Sequence, residues 1–295
     1  MTHAHDGEPR HVVVTGGNRG IGYALVRSLI KRGDHVTFTA RSRQRGTAAL
    51  SRLSDEHPYG QVKLEICDVT SAESIRDFAQ NLLAQDRSLD ALVHNAGVLR
   101  PPAARQLTEG GIEIALATNA LGPMLITTAL ASALAAARAS RVLILTSRLH
   151  QPGSRGMPVD FDFDDPNLER GYHRDRAYKN SKLAAIWVAR ELDRRLPASV
   201  TCNAICPGFV PSTAAAYANS WQRLLLRYVL PRFSFARTVE EAAEDVIWAL
   251  DAGELDGIGG QYILDRTLAS PSPQAADPSL ARRFWDLAER LIECM

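Results

Sequence analysis

Val12-Val-Val-Thr-Gly-Gly-Asn-Arg-Gly-Ile-Gly-Tyr23 runs from a β-branched strand, through a glycine turn, into a stretch with helical periodicity. Gly16, Gly20 and Gly22 permit a tight turn and let backbone N–H groups approach a bound group closely. The helix that follows brings its N-terminal partial positive charge, which favours an anion such as pyrophosphate. The spacing is not the G-x-G-x-x-G of the general dinucleotide fingerprint. Its position after the first strand is what gives the turn meaning.

Working outward, short apolar runs alternate with amphipathic stretches. The predicted strands are His11–Thr15, His35–Thr39, Val62–Ile66, Ala91–His94, Val142–Thr146 and Val200–Ile205. The predicted helices include Ile21–Arg32, Ala72–Ala84 and Ala177–Leu196. Strands apolar throughout imply burial on both faces. With helices between them, they imply an α/β fold: a Rossmann-type doubly wound parallel sheet with helices on both faces. No repeat or low-complexity linker divides the chain, so 11–295 is read as one domain after a disordered tail at 1–10. Two segments break the rhythm. Arg148 to Arg176, rich in Gly, Pro, Asp and Arg, reads as a long surface loop, and 211–235 passes from loop into a basic, aromatic helix candidate. Both are expected to border a substrate site.

Composition narrows the function. The 34 Lys plus Arg nearly balance 33 Asp plus Glu, which removes the case for nucleic acid. Four scattered cysteines, Cys67, Cys202, Cys206 and Cys294, form neither a disulfide framework nor a metal set; they read as reduced thiols of a cytoplasmic protein. The first ten residues are polar, and no apolar run approaches the roughly 20 residues that span a bilayer. A small molecule is the expected partner.

The end of the second strand specifies the nucleotide. NAD-binding versions place an acid there, about 20 residues after the glycines, against the ribose 2′-hydroxyl. Here the residues are Thr39-Ala40-Arg41-Ser42. Guanidinium groups hold a 2′-phosphate that a carboxylate would repel. Arg41, helped by Arg19 and by Arg43 or Arg45, therefore points to NADP(H). Asp68 and Val69 at the third strand end are placed to contact adenine. Asn95, Ala96 and Gly97 at the fourth offer small residues where backbone passes the cofactor, and Asn18 and Ile21 belong to the glycine turn. All these features fall at carboxyl ends of strands, where ligands of such sheets bind.

Ser147 closes the fifth strand, and Tyr178 and Lys182 are four apart, hence on one face of the next helix. A free tyrosine, with pKa about 10, is a poor base near neutrality. A nearby ammonium favours phenolate and is expected to lower that value. Ser147 can hold a substrate oxygen.

The ordered set Thr15-Gly16-x-x-x-Gly20-Ile21-Gly22, Asn95-Ala96-Gly97, Asn119, Ser147, Tyr178-x-x-x-Lys182 and Pro207-Gly208 resembles the short-chain dehydrogenase/reductase family, over nearly the whole chain. Thr118-Asn119-Ala120-Leu121-Gly122-Pro123, and the tail from Ser270-Pro-Ser-Pro through Trp285, are similar to retinol-dehydrogenase-like and WW-domain-oxidoreductase-like members. The resemblance implies Tyr178 as proton donor or acceptor, Ser147 as stabiliser of the substrate oxygen, and Lys182 as holder of the nicotinamide ribose. It implies that Asn119 fixes a water linking Lys182 to a proton relay. Pro207, Gly208, Val210 and Ser212 would lie along the nicotinamide.

The expected activity is NADP(H)-dependent hydride transfer at a carbonyl or alcohol carbon of a small, hydrophobic substrate. Other readings stay open at this point: a catalytically quiet NADP(H)-binding regulator, a redox-neutral epimerase or dehydratase, and a C=C reductase. For 221–235 the readings are a lid, a helix packed on its own domain, or contact with a membrane surface. A homo-oligomer is also open.

Overall fold

Val12, Val13 and Val14 are fully buried, as a β-branched run is when both faces of its strand are covered. They form β1 (His11–Thr15) in the interior of an eight-stranded sheet. The computed structural model of the chain describes residues 9–151, 153, 159–211 and 236–295. The predicted segment 211–235 lies outside these residues except for Pro211. Positions 1–8 lie outside them too.

The sheet runs in the order β3 (Val62–Ile66), β2 (His35–Ala40), β1, β4 (Ala91–His94), β5 (Ser140–Leu145), β6 (Val200–Cys206), β7 (Tyr262–Leu264), β8 (Thr267–Ala269). All neighbours are parallel except the β7–β8 hairpin. Successive residues of β1 face opposite sides, so its valines seed two cores. Val12 and Val14 pack with Leu25 and Leu29 of α1 (Gly20–Lys31). Phe38, Val246 and Leu250 join that layer. Val13 belongs to the other layer, with Phe78, Leu121, Trp187 and Phe284. Helices thus cover both faces, as the sequence pattern implies.

The remaining α-helices among the described residues are α2 (Arg43–Glu56), α3 (Ala72–Leu83), α4 (Ile114–Leu116), α5 (Gly122–Ala129), α6 (Ala131–Ala136), α7 (Arg174–Arg195), α8 (Val239–Asp251), α9 (Pro273–Ala276) and α10 (Pro278–Ile292). A π-helical turn, Ala117–Leu121, joins α4 to α5. No helix among the described residues is long and apolar enough to cross a membrane. Strand order reverses between β1 and β4, paired in register as Thr15 with His94. That reversal opens a crevice at the carboxyl ends of the strands, where the turns after β1, β2, β4, β5 and β6 meet.

Several expectations need correction. β3 is an edge strand and not apolar throughout: Lys63 is exposed and pairs with Glu65 at 2.8 Å. Charge on an edge discourages pairing with another chain. Strands β7 and β8 escape the periodicity argument because each has only three residues. They meet at Asp265 and Arg266, both left-handed (φ 50° and 58°), where glycine or asparagine would be the usual signal. Arg10, grouped with the tail, is buried. It donates twice to Asp34, at 3.0 Å each, and to Asp251 at 2.7 Å.

The described part of 148–176 is largely irregular and exposed or half-buried, but it is held by buried anchors. Phe161 is buried, edge-on to Phe163 (5.1 Å), Phe284 (5.3 Å) and Trp187 (5.5 Å). This gives the acidic, aromatic stretch Val159–Asp165 a role: it pins the loop to α7 and α10. Asp165 shapes the following turn by accepting the N–H groups of Glu169 (2.8 Å) and Arg170 (2.9 Å). Phe161→Ala is expected to cost about 3–5 kcal/mol in urea unfolding. A loss under about 1 kcal/mol would show that the aromatic cluster does not anchor the loop.

Candidate active site

The glycine turn is built by its neighbours as much as by its glycines. Gly16 is left-handed (φ 68°), and a Cβ there would meet the Ala96 backbone at 2.9 Å. A Cβ on Gly22 would collide with the Asn95 amide. That amide donates to the carbonyls of Thr15 and Gly16, each at 3.0 Å. The Thr15 hydroxyl accepts the N–H groups of Asn95 and Ala96, both at 3.1 Å. The ends of β1 and β4 are thereby fastened together, with α1 starting beside them.

Arg41 follows β2 and is exposed on the cleft, as are Arg19 and Arg45; Arg43 does not line it. Ser42 caps α2, its hydroxyl accepting the Arg45 N–H at 3.4 Å. Neither α1 nor α2 has an acid in its first turn. Two positive helix ends therefore border this end of the cleft without a carboxylate of their own. Asp68 lines the cleft but turns its carboxylate to Thr70, accepting its N–H (3.0 Å) and its hydroxyl (2.7 Å).

At the other end, Tyr178 and Lys182 project from α7 towards Ser147. Ser147 and Tyr178 both line the cleft, and the Ser147 hydroxyl stands close enough to favour the ionised phenol. Lys182 Nζ donates to the Leu145 carbonyl at 2.8 Å and lies 5.9 Å from the centre of the Tyr178 ring. Burial pushes the Lys182 ammonium down to about 8. The expected lowering of Tyr178 is not found. Burial raises its pKa above the ordinary tyrosine value, and the Ser147 hydroxyl opposes that only in part. The physical reason is that desolvation of a buried phenol outweighs a lysine turned to a backbone carbonyl.

Asn119 sits in the π-helical turn, and its side chain is already engaged. Its oxygen accepts the Val98 N–H at 2.8 Å, and its amide donates to the Val98 carbonyl (3.1 Å) and to Ser181 Oγ (2.8 Å). Both amide donors are thus spent on fastening the Gly97–Val98 backbone to α7. π-Turns of this kind recur at functional sites.

One cleft of about 2200 Å³ joins the two ends. It is lined by Gly16, Asn18, Arg19, Gly20, Ile21, Arg41, Asp68 and Val69 on the arginine side. Asn95, Ala96, Gly97, Ser147, Tyr178, Lys182, Pro207, Gly208 and Val210 complete it. Gly22 and Asn119 support the wall from behind, and Ser212 lies outside the described residues. Sequence reading missed Arg237, which packs on Gly208, donates its N–H to the Phe209 carbonyl at 2.8 Å, and pairs with Asp245 (2.6 Å) and Asp265 (3.0 Å). Cys206, read only as a buried thiol, also lines the cleft. No spacing pattern could have signalled either.

Comparison with known proteins agrees with this geometry. The family described as short chain dehydrogenase matches residues 10–159. Retinol dehydrogenase 14 of Homo sapiens is 31% identical over 295 residues, covering 95% of this chain and 85% of that protein. The WW domain-containing oxidoreductase of Danio rerio is 33% identical, covering 99% of this chain and 71% of its own. The crystal structure of an uncharacterised protein from Mycobacterium paratuberculosis has a TM-score of 0.75 at 26% identity, covering 99% of this chain and 98% of that one. With its glycine turn, its Ser147, Tyr178 and Lys182, and these relatives, the chain belongs to the short-chain dehydrogenase family, oxidoreductases that transfer hydride with a nicotinamide cofactor.

Proposed function

We propose that this oxidoreductase uses NADP(H) and acts on a carbonyl or alcohol carbon of a small, largely apolar substrate. One observation carries the reading. A single cleft has an arginine-rich, acid-free strand end on one side and Ser147, Tyr178 and Lys182 together on the other.

The residues present fit the dinucleotide. The cradle at Gly16 and Ala96 has no room for a larger side chain, and two helix ends without acids suit its phosphates. Arg41, Arg19 and Arg45 would hold the 2′-phosphate, Asp68 and Val69 the adenine, and Lys182 the nicotinamide ribose. Pro207, Gly208 and Val210 would flank the nicotinamide, which when bound supplies or accepts the hydride.

Tyr178 holds a proton at its Oη, because burial keeps the phenol protonated. A protonated phenol is the form that donates to a carbonyl oxygen when a carbonyl is reduced. Ser147 Oγ orients that oxygen and the phenol together. Lys182, steered by the Leu145 carbonyl, brings positive charge to the same end of the cleft. Val98, Leu99, Pro102, Ile114, Leu149 and Phe209 give the substrate end apolar walls.

The test is NADPH consumption across steroids, retinoids, quinones, polyketide-like ketones and aliphatic aldehydes. At least one carbonyl is expected to be reduced with matched loss of NADPH. Tight NADPH binding without consumption across the panel would instead mark a quiet nucleotide-binding protein.

A further inference from the structure

The tail motif Ser270-Pro-Ser-Pro273 has no part in the chemistry above, yet it reaches the active site through one side chain. We infer that His150 is a positioning residue for Ser147: a neutral imidazole that ties the Ser147 backbone to the C-terminal segment at Ser272. The inference deepens the proposed function and rests on it for the role of Ser147.

The hydrogen bonds fix the ring's tautomer. His150 is fully buried. The Ser272 N–H donates to its Nε2 at 3.1 Å, so that nitrogen must carry the lone pair. The single ring proton is then on Nδ1, which donates to the Ser147 carbonyl at 2.6 Å. An imidazolium would set a second N–H against that of Ser272. Burial acts in the same direction, holding His150 below the ordinary imidazole value. The ring of Tyr262 on β7 closes one side, edge-on at 4.9 Å.

Both ends of this link are anchored. Ser147 caps the short 3-10 turn Arg148–His150, its Oγ accepting the Leu149 N–H at 3.2 Å. The same hydroxyl faces Tyr178, so a shift of the Ser147 backbone would move it against the phenol. At the other end, Pro271 and Pro273 have no N–H, which leaves Ser272 as the one backbone donor among these three residues. Ser272 is also fully buried, and its hydroxyl caps α9 by accepting the Ala275 N–H at 3.3 Å. The adjoining Gln274 carbonyl accepts the Trp187 indole N–H at 2.8 Å, and the Ser270 carbonyl accepts from Gln151 at 3.3 Å. The segment is thus fixed on α7, the helix that bears Tyr178, and reaches back 122 positions to His150.

Two substitutions separate the two bonds. In His150→Asn the amide nitrogen falls near Nδ1 and keeps the donor to Ser147, while the acceptor for Ser272 is lost. In His150→Gln the amide reaches the Nε2 position and can accept from Ser272, leaving the Ser147 carbonyl without its donor. His150→Gln is expected to lower kcat about 10- to 100-fold with little change in KM for NADPH, the scale of a small misplacement of a reacting group. His150→Asn is expected to recover most of that loss despite comparable thermal destabilisation. Equal kcat losses in both variants, or none in either, would overturn the inference.

Two spectroscopic readouts do not depend on turnover. Imidazole ¹⁵N shifts should show Nδ1 protonated and Nε2 bare, and the Tyr178 ¹³Cζ resonance should move in His150→Gln but hold in His150→Asn. A protonated Nε2, or an unmoved resonance in both variants, overturns the positioning role. A wild-type protein that reduces no carbonyl overturns the proposed function instead, and these spectra still decide the role of His150.

Discussion

Replacing Tyr178 by phenylalanine is expected to lower kcat for carbonyl reduction about 10²- to 10⁴-fold, the usual contribution of a positioned proton donor. The change removes one oxygen from a ring that stays in the same buried slot of α7. Lys182 keeps its bond to the Leu145 carbonyl, and nothing at the arginine end is touched. NADPH affinity should therefore stay within about threefold, since that end sets most of the charge-assisted binding. Steady-state kinetics and a fluorescence titration of NADPH read the two quantities separately. Turnover near the wild-type rate would remove Tyr178 from the chemistry.

Arg41→Asp carries the second large effect. A guanidinium–phosphate hydrogen bond contributes about 1.5–3 kcal/mol, and the substitution adds repulsion of the 2′-phosphate. The ratio of kcat/KM for NADPH to that for NADH should fall about 10²- to 10³-fold, since each 1.4 kcal/mol is about tenfold. Arg19 and Arg45 remain on the cleft and limit the loss. Arg43 supplies the control: it opens α2 without lining the cleft, so Arg43→Asp should leave the ratio nearly unchanged. An unaltered preference in Arg41→Asp would separate Arg41 from nucleotide choice.

Much of this is legible in the sequence, and what is legible follows a physical pattern. Apart from the charged edge strand β3, the strands β1 to β6 emerged because each is a local, largely apolar run, buried by helices that are themselves periodic. The glycine turn and the Tyr178–Lys182 spacing are short-range, and short-range geometry is what sequence encodes directly. The misses are long-range. Phe161 looks like a loop residue until Trp187 and Phe284 close around it. The spacing of Lys182 and Tyr178 does not reveal the phenol's raised pKa, because burial, a property of the whole fold, is its largest cause. The Asn119 amide bonds to Val98 and Ser181, partners no local pattern names. His150 and Arg237 act through contacts far along the chain and leave no periodic trace.

Deuterium transfer tests the central claim most directly. The carbonyl that best consumes NADPH is to be reduced with NADPH carrying deuterium at each C4 position, and the product read by mass spectrometry and NMR. The account predicts one deuterium on the carbon of the new alcohol, with one NADPH oxidised per alcohol formed. Product without deuterium, or deuterium on a former alkene carbon, would contradict it.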